Sequence, residues 1–308
     1  MKYFLFGDIH GHLEPLLRLL KQIGIDPQNV PEDVHLIFVG DLIDRGPQSR
    51  EVVSLVKSLV ESGNASCVMA NHEFNFVNFN TLTAPNDDQY RRPRNDKNLT
   101  EIAETWSSYR IDGRFHKTLL KEHVNWFKNL PIALEFEEFN VIHACWHEPS
   151  LALLEKRGNG YFLSESQWNT AWDENSQLGQ AIETLCKGAE RTLPNGITFL
   201  DPNGVERDKA RVCWWNREPT SWTEYMRAPG VDMKQFENLD VPANHEFNIQ
   251  KPTLFGHYWM TGEPAILSPL TACLDFSIAA HPMGYLACYE FRSGDTELTN
   301  ERLHFVKG

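Results

Sequence analysis

Short apolar runs alternate with helical patterns along the first 75 residues. The runs at residues 2–6, 34–39 and 66–70 have the length and the polar flanks that are typical of buried strands. Between them, apolar residues recur at helical spacing over 13–23 and again over 52–59. The pattern predicts a βαβαβ unit, whose right-handed crossovers bring the carboxyl ends of its parallel strands to one edge of a sheet.

Each of these three predicted strands is followed by side chains that commonly bind metals. Gly7-Asp8-Ile9-His10-Gly11 follows the first strand, Gly40-Asp41-Leu42-Ile43-Asp44-Arg45-Gly46 the second, and Asn71-His72-Glu73 the third. A charged turn would explain any one of these segments alone. Because the strand ends share one edge, we expect the three segments to converge there, where open α/β sheets bind their ligands.

The rest of the chain predicts a second group of strands, interrupted by a long insertion. Residues 148–250 are helical and irregular, and strands resume after them. We therefore interpret 148–250 as a cap inserted into a single domain of residues 1–308. The other predicted elements are helices at 99–109 and 116–128, a strand pair at 132–136 and 139–142 that ends at His143, a hairpin at 197–207 with its turn at 201–204, a strand at 211–215, a strand before Gly256-His257, and an antiparallel meander at 265–267, 271–276, 285–291 and 302–306.

Composition argues against two classes of partner, membranes and nucleic-acid backbone. The chain is 41% hydrophobic and 23% charged, as in ordinary globular proteins, and no apolar run approaches a membrane span. With 42 acidic and 29 basic residues the net charge is −13, which argues against broad binding to nucleic-acid backbone. The start of the chain lacks the pattern of a secretory signal, and its six cysteines contain no C-x-x-C pair. We expect a cytoplasmic protein with reduced cysteines.

The candidate metal ligands combine carboxylate, imidazole and amide groups. This mixture suits borderline divalent metals such as Mn, Fe, Co, Ni or Zn, whereas Mg and Ca prefer oxygen alone. One bridging carboxylate can hold two metals roughly 3.5–4 Å apart, as in two-metal phosphoesterases. The candidate ligands are Asp8, His10, Asp41, Asn71, His143 and His257.

The three segments that follow the first strands resemble the signature blocks of the calcineurin-like metallophosphoesterases. Asp44-Arg45-Gly46 and His72-Glu73 are similar to the phosphoprotein-phosphatase branch, which includes bacterial serine/threonine phosphatases, diadenosine tetraphosphatases and RNA-repair phosphatase modules. The resemblance is strong over residues 1–75, moderate at His143 and at 257–275, and slight elsewhere. It implies an α/β four-layer α-β-β-α sandwich with a helical cap.

The resemblance also implies a role for each matched residue. Asp8 and His10 correspond to ligands of a first metal, Asp41 to the bridging carboxylate, and Asn71, His143 and His257 to ligands of a second metal. His72 corresponds to the general acid, Asp44 to the carboxylate that orients it, and Arg45 to a phosphate clamp. Glu73 and Asp275 correspond to hydrogen-bond partners that support the site.

Several positions depart from the family pattern or leave it incomplete. Ala70 and Ala144-Cys145 stand where the family has glycines, and the latter places a thiol near the expected metals. Tyr258-Trp259 lacks the second histidine of the G-H-x-H phosphodiesterase pattern. The absence of this histidine favours phosphomonoesters as substrates. The weak candidates for the second phosphate-binding arginine are Arg211, Arg217 and Arg227. The cluster Arg91-Arg92-Pro93-Arg94 could receive a negatively charged substrate, but a solvated surface is the favoured explanation.

These features predict a phosphatase that uses two divalent metals, with Mn ranked first. The resemblance implies direct attack by a hydroxide shared between the metals, without a phosphoenzyme. Phosphomonoesters, either phosphoprotein or small phosphate esters, rank first as substrates. The alternatives are a dinucleoside polyphosphate, an RNA-end phosphate and, from another class, a binding module that retains metal without catalysis.

Overall fold

Two six-stranded sheets form the centre of the fold. The structure, a computed structural model, describes residues 1–200, 204–228, 230–280 and 283–308. Its strands, in chain order, are β1 (Lys2–Phe6), β2 (Val34–Phe38), β3 (Ala65–Cys67), β4 (Arg110–Ile111), β5 (Arg114–Phe115), β6 (Ala133–Glu135), β7 (Asn140–Ile142), β8 (Glu155–Arg157), β9 (Gly160–Phe162), β10 (Glu190–Thr192), β11 (Phe199–Leu200), β12 (Glu206–Arg207), β13 (Lys209–Val212), β14 (Met226–Arg227), β15 (Thr253–Phe255), β16 (Thr271–Cys273), β17 (Asp275–Phe276), β18 (Tyr285–Arg292) and β19 (Leu303–Lys307).

Helices surround these sheets. The α-helices are α1 (Leu13–Gln22), α2 (Ser49–Glu61), α3 (Asn71–Phe79), α4 (Asp96–Ser108), α5 (Lys117–Phe127), α6 (Glu148–Leu151), α7 (Gln177–Lys187) and α8 (Trp222–Tyr225). Helices α1 and α2 follow β1 and β2, and α3 follows β3, as the apolar pattern predicts. Helix α1 buries Leu16, Leu19 and Leu20, which recur at helical spacing on one face.

The first sheet contains the predicted βαβαβ unit. Strand β2 pairs in parallel with β1, where Tyr3 lies beside His35, and with β3, where Ile37 lies beside Ser66. Strand β18 pairs antiparallel with β1, and both β17 and β19 pair antiparallel with β18. The parallel order of β1, β2 and β3 places their carboxyl ends along one edge.

The second sheet has the order β16-β15-β7-β6-β9-β8. Strand β15 pairs in parallel with β7 and β16, whereas β6 pairs antiparallel with β7 and β9. Strands β8 and β9 lie inside the stretch 148–250, so the predicted cap includes two strands of the central sandwich. The described residues between β9 and β15, within 163–252, lie outside both central sheets.

Side chains that alternate along β1 and β2 face two different hydrophobic cores. Leu5 and Ile37 pack with Val141 and Leu254 of the second sheet, in the core between the sheets. Their neighbours, such as Phe6, pack in the outer core with the leucines of α1 and the valines of α2. A strand that is buried on both faces has a continuous run of apolar residues in its sequence. The predicted α/β sandwich of two sheets flanked by helices is confirmed.

The predicted antiparallel meander near the end of the chain is wrong in two respects. Residues 265–267 form no strand, because Ile266 donates its N–H to the Asn300 side chain and Leu267 to Thr271 across a turn. Residues 271–276 form two strands in different sheets. Leu274 lies at the crossing, where its N–H bonds to Phe255 of the second sheet.

Residues 163–252 contain helix α7 and two small sheets. Strands β10, β13 and β14 form one sheet, and β11 pairs with β12 as the predicted hairpin requires. Of the predicted hairpin turn at 201–204, Asp201, Pro202 and Asn203 lie outside the described residues. The strand predicted at 211–215 is β13, which ends at Val212.

Candidate metal and catalytic site

The loops after β1 and β2 meet the first turn of α3 at one edge of the first sheet. The backbone N–H groups of Ile9 and His10 both donate to the carbonyl oxygen of Asp41, at 3.0 and 2.8 Å. The N–H of His72 donates to Oδ1 of Asp41 at 3.3 Å. The structure therefore brings together the three segments that lie far apart in the sequence.

Five residues of the site have left-handed backbone conformations, which residues other than glycine rarely adopt. The φ angles are 46° at His10, 48° at Asp41, 67° at Asp44, 71° at Arg45 and 73° at His257. Such conformations cost of order 1–3 kcal/mol each and persist only where the surrounding structure fixes them. Their concentration here marks the site as the most constrained part of the backbone among the described residues.

The carboxylate of Asp41 is the centre of the site. Its Oδ2 lies 3.4 Å from Nε2 of His10, 3.5 Å from Nε2 of His143 and 3.9 Å from Nε2 of His72. Asp41 itself is 1% exposed. Two triplets that include it, with His10 and His72 and with His143 and His257, have ligand atoms close enough to share one cation.

Backbone carbonyls fix the tautomers of two of these histidines. Nδ1 of His143 donates to the Val39 carbonyl at 2.8 Å, and Nδ1 of His10 donates to the Ile43 carbonyl at 2.9 Å. Since a carbonyl only accepts, each Nε2 carries a lone pair. Nε2 of His143 nevertheless faces Oδ1 of Asn71 at 3.0 Å as well as the Asp41 carboxylate. Acceptors that face one another in a buried site require a cation or an additional proton between them.

Asp8 and His257 contact each other in another part of the site. Oδ2 of Asp8 accepts a hydrogen bond from the His257 N–H at 3.1 Å, whereas its buried Oδ1 has no partner among the described residues. A Cβ at Gly256 would lie 2.0 Å from that Oδ1. Gly256 therefore leaves the space that the Asp8 carboxylate occupies. Nδ1 of His257 lies 3.0 Å from Oδ1 of Asn71, and its Nε2 is another buried atom without a described partner.

The buried imidazoles and carboxylates have shifted pKa values. Burial holds the pKa of His10, His143 and His257 below the ordinary value, which favours the neutral form that binds metals. Burial raises the pKa of Asp8 well above its ordinary value, and the charges of Asp275 and Asp41 raise it further. A bound cation would oppose that rise and stabilise the ionised carboxylate.

Asp41 shows the opposite behaviour. Burial alone would raise its pKa, but the imidazoles of His72, His143 and His10 together lower it below the ordinary value of an aspartate. Asp41 is thus held as an anion at the centre of the site.

His72 and Asp44 form a buried pair. Nδ1 of His72 donates to Oδ2 of Asp44 at 2.6 Å, which leaves Nε2 directed towards Asp41. Burial lowers the pKa of His72, but the charge of Asp41 and the hydrogen bond and charge of Asp44 raise it to about 9. The imidazole is therefore protonated at neutral pH in this arrangement.

Thr105 of α4 makes hydrogen bonds to Asp44 that were not predicted from the sequence. Its hydroxyl donates to Oδ1 of Asp44 at 2.5 Å and accepts the Asp44 N–H at 2.8 Å. Thr105 is fully buried and shares a helix face with Asn98 and Ile102. The feature of the sequence that could have indicated this contact is a threonine on the apolar face of a helical pattern.

Glu101 and Arg92 extend this network outward. Oε1 of Glu101 lies 3.8 Å from Nδ1 of His72, and Oε2 accepts a hydrogen bond from Arg92 at 2.6 Å. Arg92 also donates to Asn98. One of the three arginines predicted as a possible surface cluster thus lies two side chains from His72.

Arg45 lies at the open side of the site. Its Nη1 donates to Nε2 of His10 at 2.8 Å, and its guanidinium stacks over the ring of Trp259 with the central carbon 4.0 Å from the ring centre. Trp259, which the sequence analysis noted only for replacing a histidine, is 39% exposed. The stacked guanidinium therefore borders both the candidate ligands and solvent.

Glu73 and Asp275 support the surrounding loops. The carboxylate of Glu73 accepts the N–H groups of Asp41, Leu42 and Ala70 at 2.8–3.2 Å. Burial and then the charge of Asp41 raise the pKa of Glu73 to about 7. Asp275 accepts the N–H groups of Trp259 and Ser277, and burial raises its pKa.

Two of the three weak arginine candidates lie near the site. Arg211 and Arg227 are opposite each other in the β13–β14 pair. The charge of Arg211 contributes, after burial, to the low pKa of His257, and Arg227 donates to the Trp259 carbonyl at 3.4 Å. No hydrogen bond or ion pair joins the Arg217 side chain to any described residue.

Ala70 and Cys145, which replace family glycines, fit into the structure without strain or exposure. Ala70 has an ordinary extended backbone with φ −104° and precedes the first turn of α3. Cys145 is fully buried, and burial raises its pKa well above the ordinary value of a thiol. Such a thiol is a poor metal ligand because the thiolate is the binding form.

Comparison with known proteins identifies the class to which this fold and site belong. The profile of the calcineurin-like phosphoesterase family matches residues 1–182, more than half of the chain. The chain belongs to this family of metal-dependent hydrolases.

The curated relatives of the chain include bacterial hydrolases. It is 29% identical over 172 residues to the asymmetrical bis(5′-nucleosyl)-tetraphosphatase PrpE of Oceanobacillus iheyensis, covering 53% of this chain and 64% of the relative. It is 43% identical over 76 residues to the PrpE of Anoxybacillus flavithermus, covering 23% of this chain and 31% of the relative. With the symmetrical enzyme of Marinomonas sp. it shares 40% identity over 77 residues, 25% of this chain and 26% of the relative. The chain thus spans less than a third of the last two relatives.

A likeness in fold extends over the whole chain. A crystal structure whose description proposes a diadenosine tetraphosphatase superimposes with a TM-score of 0.50 at 16% identity. The match covers 100% of this chain and 93% of that one. At this identity the likeness concerns the fold alone. No helix within the described residues has the length and apolar character needed to cross a bilayer.

Proposed function

We propose that the protein hydrolyses phosphomonoesters with two divalent cations, Mn first and Fe, Zn, Co or Ni as alternatives. The observation that carries this proposal is the buried Nε2 lone pair of His143, which faces both the Asp41 carboxylate and Oδ1 of Asn71 without a proton between them. The donor set of carboxylate, imidazole and amide groups fits borderline divalent metals.

The ligand roles are assigned from the resemblance to the family, with Asp41 shared between the two cations. Asp8 and His10 are assigned to one cation. Asn71, His143 and His257 are assigned to the second, which the contacts of Asn71 with both histidines support. When bound, the cations would lower the pKa of coordinated water and neutralise charge on the phosphoryl oxygens.

His72 is assigned as the general acid. Its Nδ1 is held by Asp44, so the proton on Nε2 is free for transfer to the leaving-group oxygen. Bound cations would offset the charge of Asp41, and the Asp44 contact would then keep the imidazole protonated. Asp44 acts by positioning the ring and stabilising its charged form.

Arg45 is assigned as the phosphate clamp. Its planar guanidinium lies over Trp259, which limits its movement, and a guanidinium can fork onto two phosphate oxygens. Of the second-arginine candidates, Arg227 and Arg211 are favoured over Arg217 by their places beside Trp259 and His257.

A second candidate substrate is a dinucleoside polyphosphate. The similarity of the chain to proteins named bis(5′-nucleosyl)-tetraphosphatases supports it. The same groups would then act on a phosphoanhydride bond, with a nucleoside phosphate as the leaving group.

A substrate panel tests the proposal. Protein reconstituted with Mn²⁺ is assayed with a phosphopeptide, p-nitrophenyl phosphate, diadenosine tetraphosphate and 3′-phosphorylated RNA. We expect metal-dependent phosphate release from the first two. A preference for diadenosine tetraphosphate would favour the second candidate, and release from the RNA alone an RNA-end phosphatase. A protein that holds metal yet hydrolyses none of the four would instead be a binding module.

A further inference from the structure

A groove of about 950 Å³ has none of the candidate metal ligands or catalytic residues in its lining. It is enclosed by the loop that follows α3, by α4 and by α5. On α4, Trp106 lines this groove whereas its neighbour Thr105 contacts Asp44. The groove and the candidate catalytic centre therefore contact α4 at adjacent residues.

The groove is basic in an otherwise acidic chain. Its cations are Arg91, Arg94, Lys117, Lys121 and Lys128, and none of its described lining residues is an aspartate or a glutamate. None of these five cations has an ion-pair partner within the described part of the chain. With a net charge of −13 on the whole chain, this concentration of unpaired positive charge marks a local site for anions.

The two arginines are held in place by neutral partners, which leaves their charge unbalanced. Arg91 donates to the Trp168 carbonyl at 2.6 Å and to the Asn169 side chain at 3.0 Å. The guanidinium of Arg94 lies 3.4 Å from the ring centre of Tyr90. Burial and the charge of Arg91 lower the pKa of Lys128, as expected where cations lie close together without a counter-charge.

Aromatic rings line the same groove. Phe115 is 40% exposed and lies against Trp106, with ring centres 5.7 Å apart. An exposed aromatic face beside a track of cations is the arrangement that proteins use to hold a base and its phosphates. The volume is at the upper end of the range for small-molecule sites, about 300–1,000 Å³.

We propose that this groove is a second, non-catalytic binding site for a nucleotide. Lys117, Lys121 and Lys128 contact its phosphates, and its base stacks on Phe115. A nucleotide matches both the unpaired cations and the exposed aromatic ring of the groove. An inorganic anion would leave the ring exposed, and an apolar ligand would leave the cations unpaired.

Calorimetry with α,β-methylene adenosine diphosphate on the metal-loaded protein tests the proposal. The variant Lys117→Glu/Lys121→Glu reverses two exposed charges, and the matched control is Lys21→Glu/Lys234→Glu at exposed lysines elsewhere. We expect the groove variant to bind about tenfold more weakly or worse, and the control to bind as the unmodified protein does. Phe115→Ala is expected to weaken binding about fivefold or more through lost stacking.

Two further measurements separate the groove from the catalytic centre. Hydrolysis of p-nitrophenyl phosphate is expected to be unchanged in the groove variants. Methylenebisphosphonate lacks the nucleoside, so we expect its binding to be the same with and without the substitutions at Lys117 and Lys121. Equal nucleotide affinity in the groove and control variants would overturn the proposal. It would also be overturned if bisphosphonate bound as tightly as the nucleotide and lost that binding in the Lys117→Glu/Lys121→Glu variant. Calorimetry detects binding whether or not the protein hydrolyses any ester, so this outcome is independent of the proposed function.

Discussion

Residues 1–75 and residues 163–252 contribute to the same site in different ways. The first region supplies Asp8, Asp41 and His72 from the ends of parallel strands and the helix after them, and the sheet fixes their positions. The second supplies Arg211 and Arg227 from a small separate sheet that packs beside the site. The groups proposed for the chemistry are thus placed by sheet topology, whereas the candidates for the second phosphate-binding arginine are placed by packing.

The largest effect is expected from Asp41→Asn in the first region. The change removes the negative charge that three imidazoles face, so we expect metal affinity to fall by more than about 100-fold and hydrolysis to fall with it. Elemental analysis of the purified variant, together with phosphate release at saturating Mn²⁺, measures both. Asp33→Asn, at an exposed aspartate of the same region, is the matched control. A variant that keeps its metals would show that Asp41 is not the shared ligand.

His72→Asn is expected to separate chemistry from metal binding. We expect turnover to slow by roughly 10²–10⁴-fold while metal content stays unchanged, because the proton donor is lost and the proposed ligands remain. The loss should be greatest with an alkyl phosphate and least with p-nitrophenyl phosphate, whose leaving group needs little protonation. An equal loss with both leaving groups would contradict the role of general acid.

Thr105 lies between the two regions in sequence and tests whether packing from outside the first region tunes its chemistry. Thr105→Val keeps the shape of the side chain and removes both hydrogen bonds to Asp44, so we expect kcat to fall about 10- to 100-fold with KM little changed. Thr105→Ser retains the hydroxyl and should restore most of the rate. Similar rates for the valine and serine variants would exclude this positioning role.

The smallest effect is expected in the second region. Arg227→Lys keeps the charge and loses the planar fork, so KM should rise about tenfold with kcat nearly unchanged. The matched control is Arg217→Lys, at an arginine with no described contact to the site. If KM changes equally in both variants, Arg227 has no special role, and Arg211→Lys becomes the next variant to measure.

Much of the fold was predictable because the strands of the first sheet are buried on both faces. Such strands leave continuous apolar runs, and the amphipathic helices between them imply parallel order. The second sheet was harder, since β8, β9 and β16 have only three residues each and little periodicity. The crossing at Leu274 between the sheets depends on one backbone hydrogen bond, which no sequence pattern reports.

For the candidate site, the sequence by itself determined the side chains at the strand ends, because residue type and spacing within a βαβαβ unit suffice to place Asp8, Asp41 and Asn71 at one edge. Only the tertiary structure decided which atoms face each other. The tautomer of His143, the hold of Thr105 on Asp44 and the place of Arg227 beside Trp259 depend on contacts between residues far apart in the chain. Such contacts are set by the packing of whole elements, whose relative positions a local pattern does not contain.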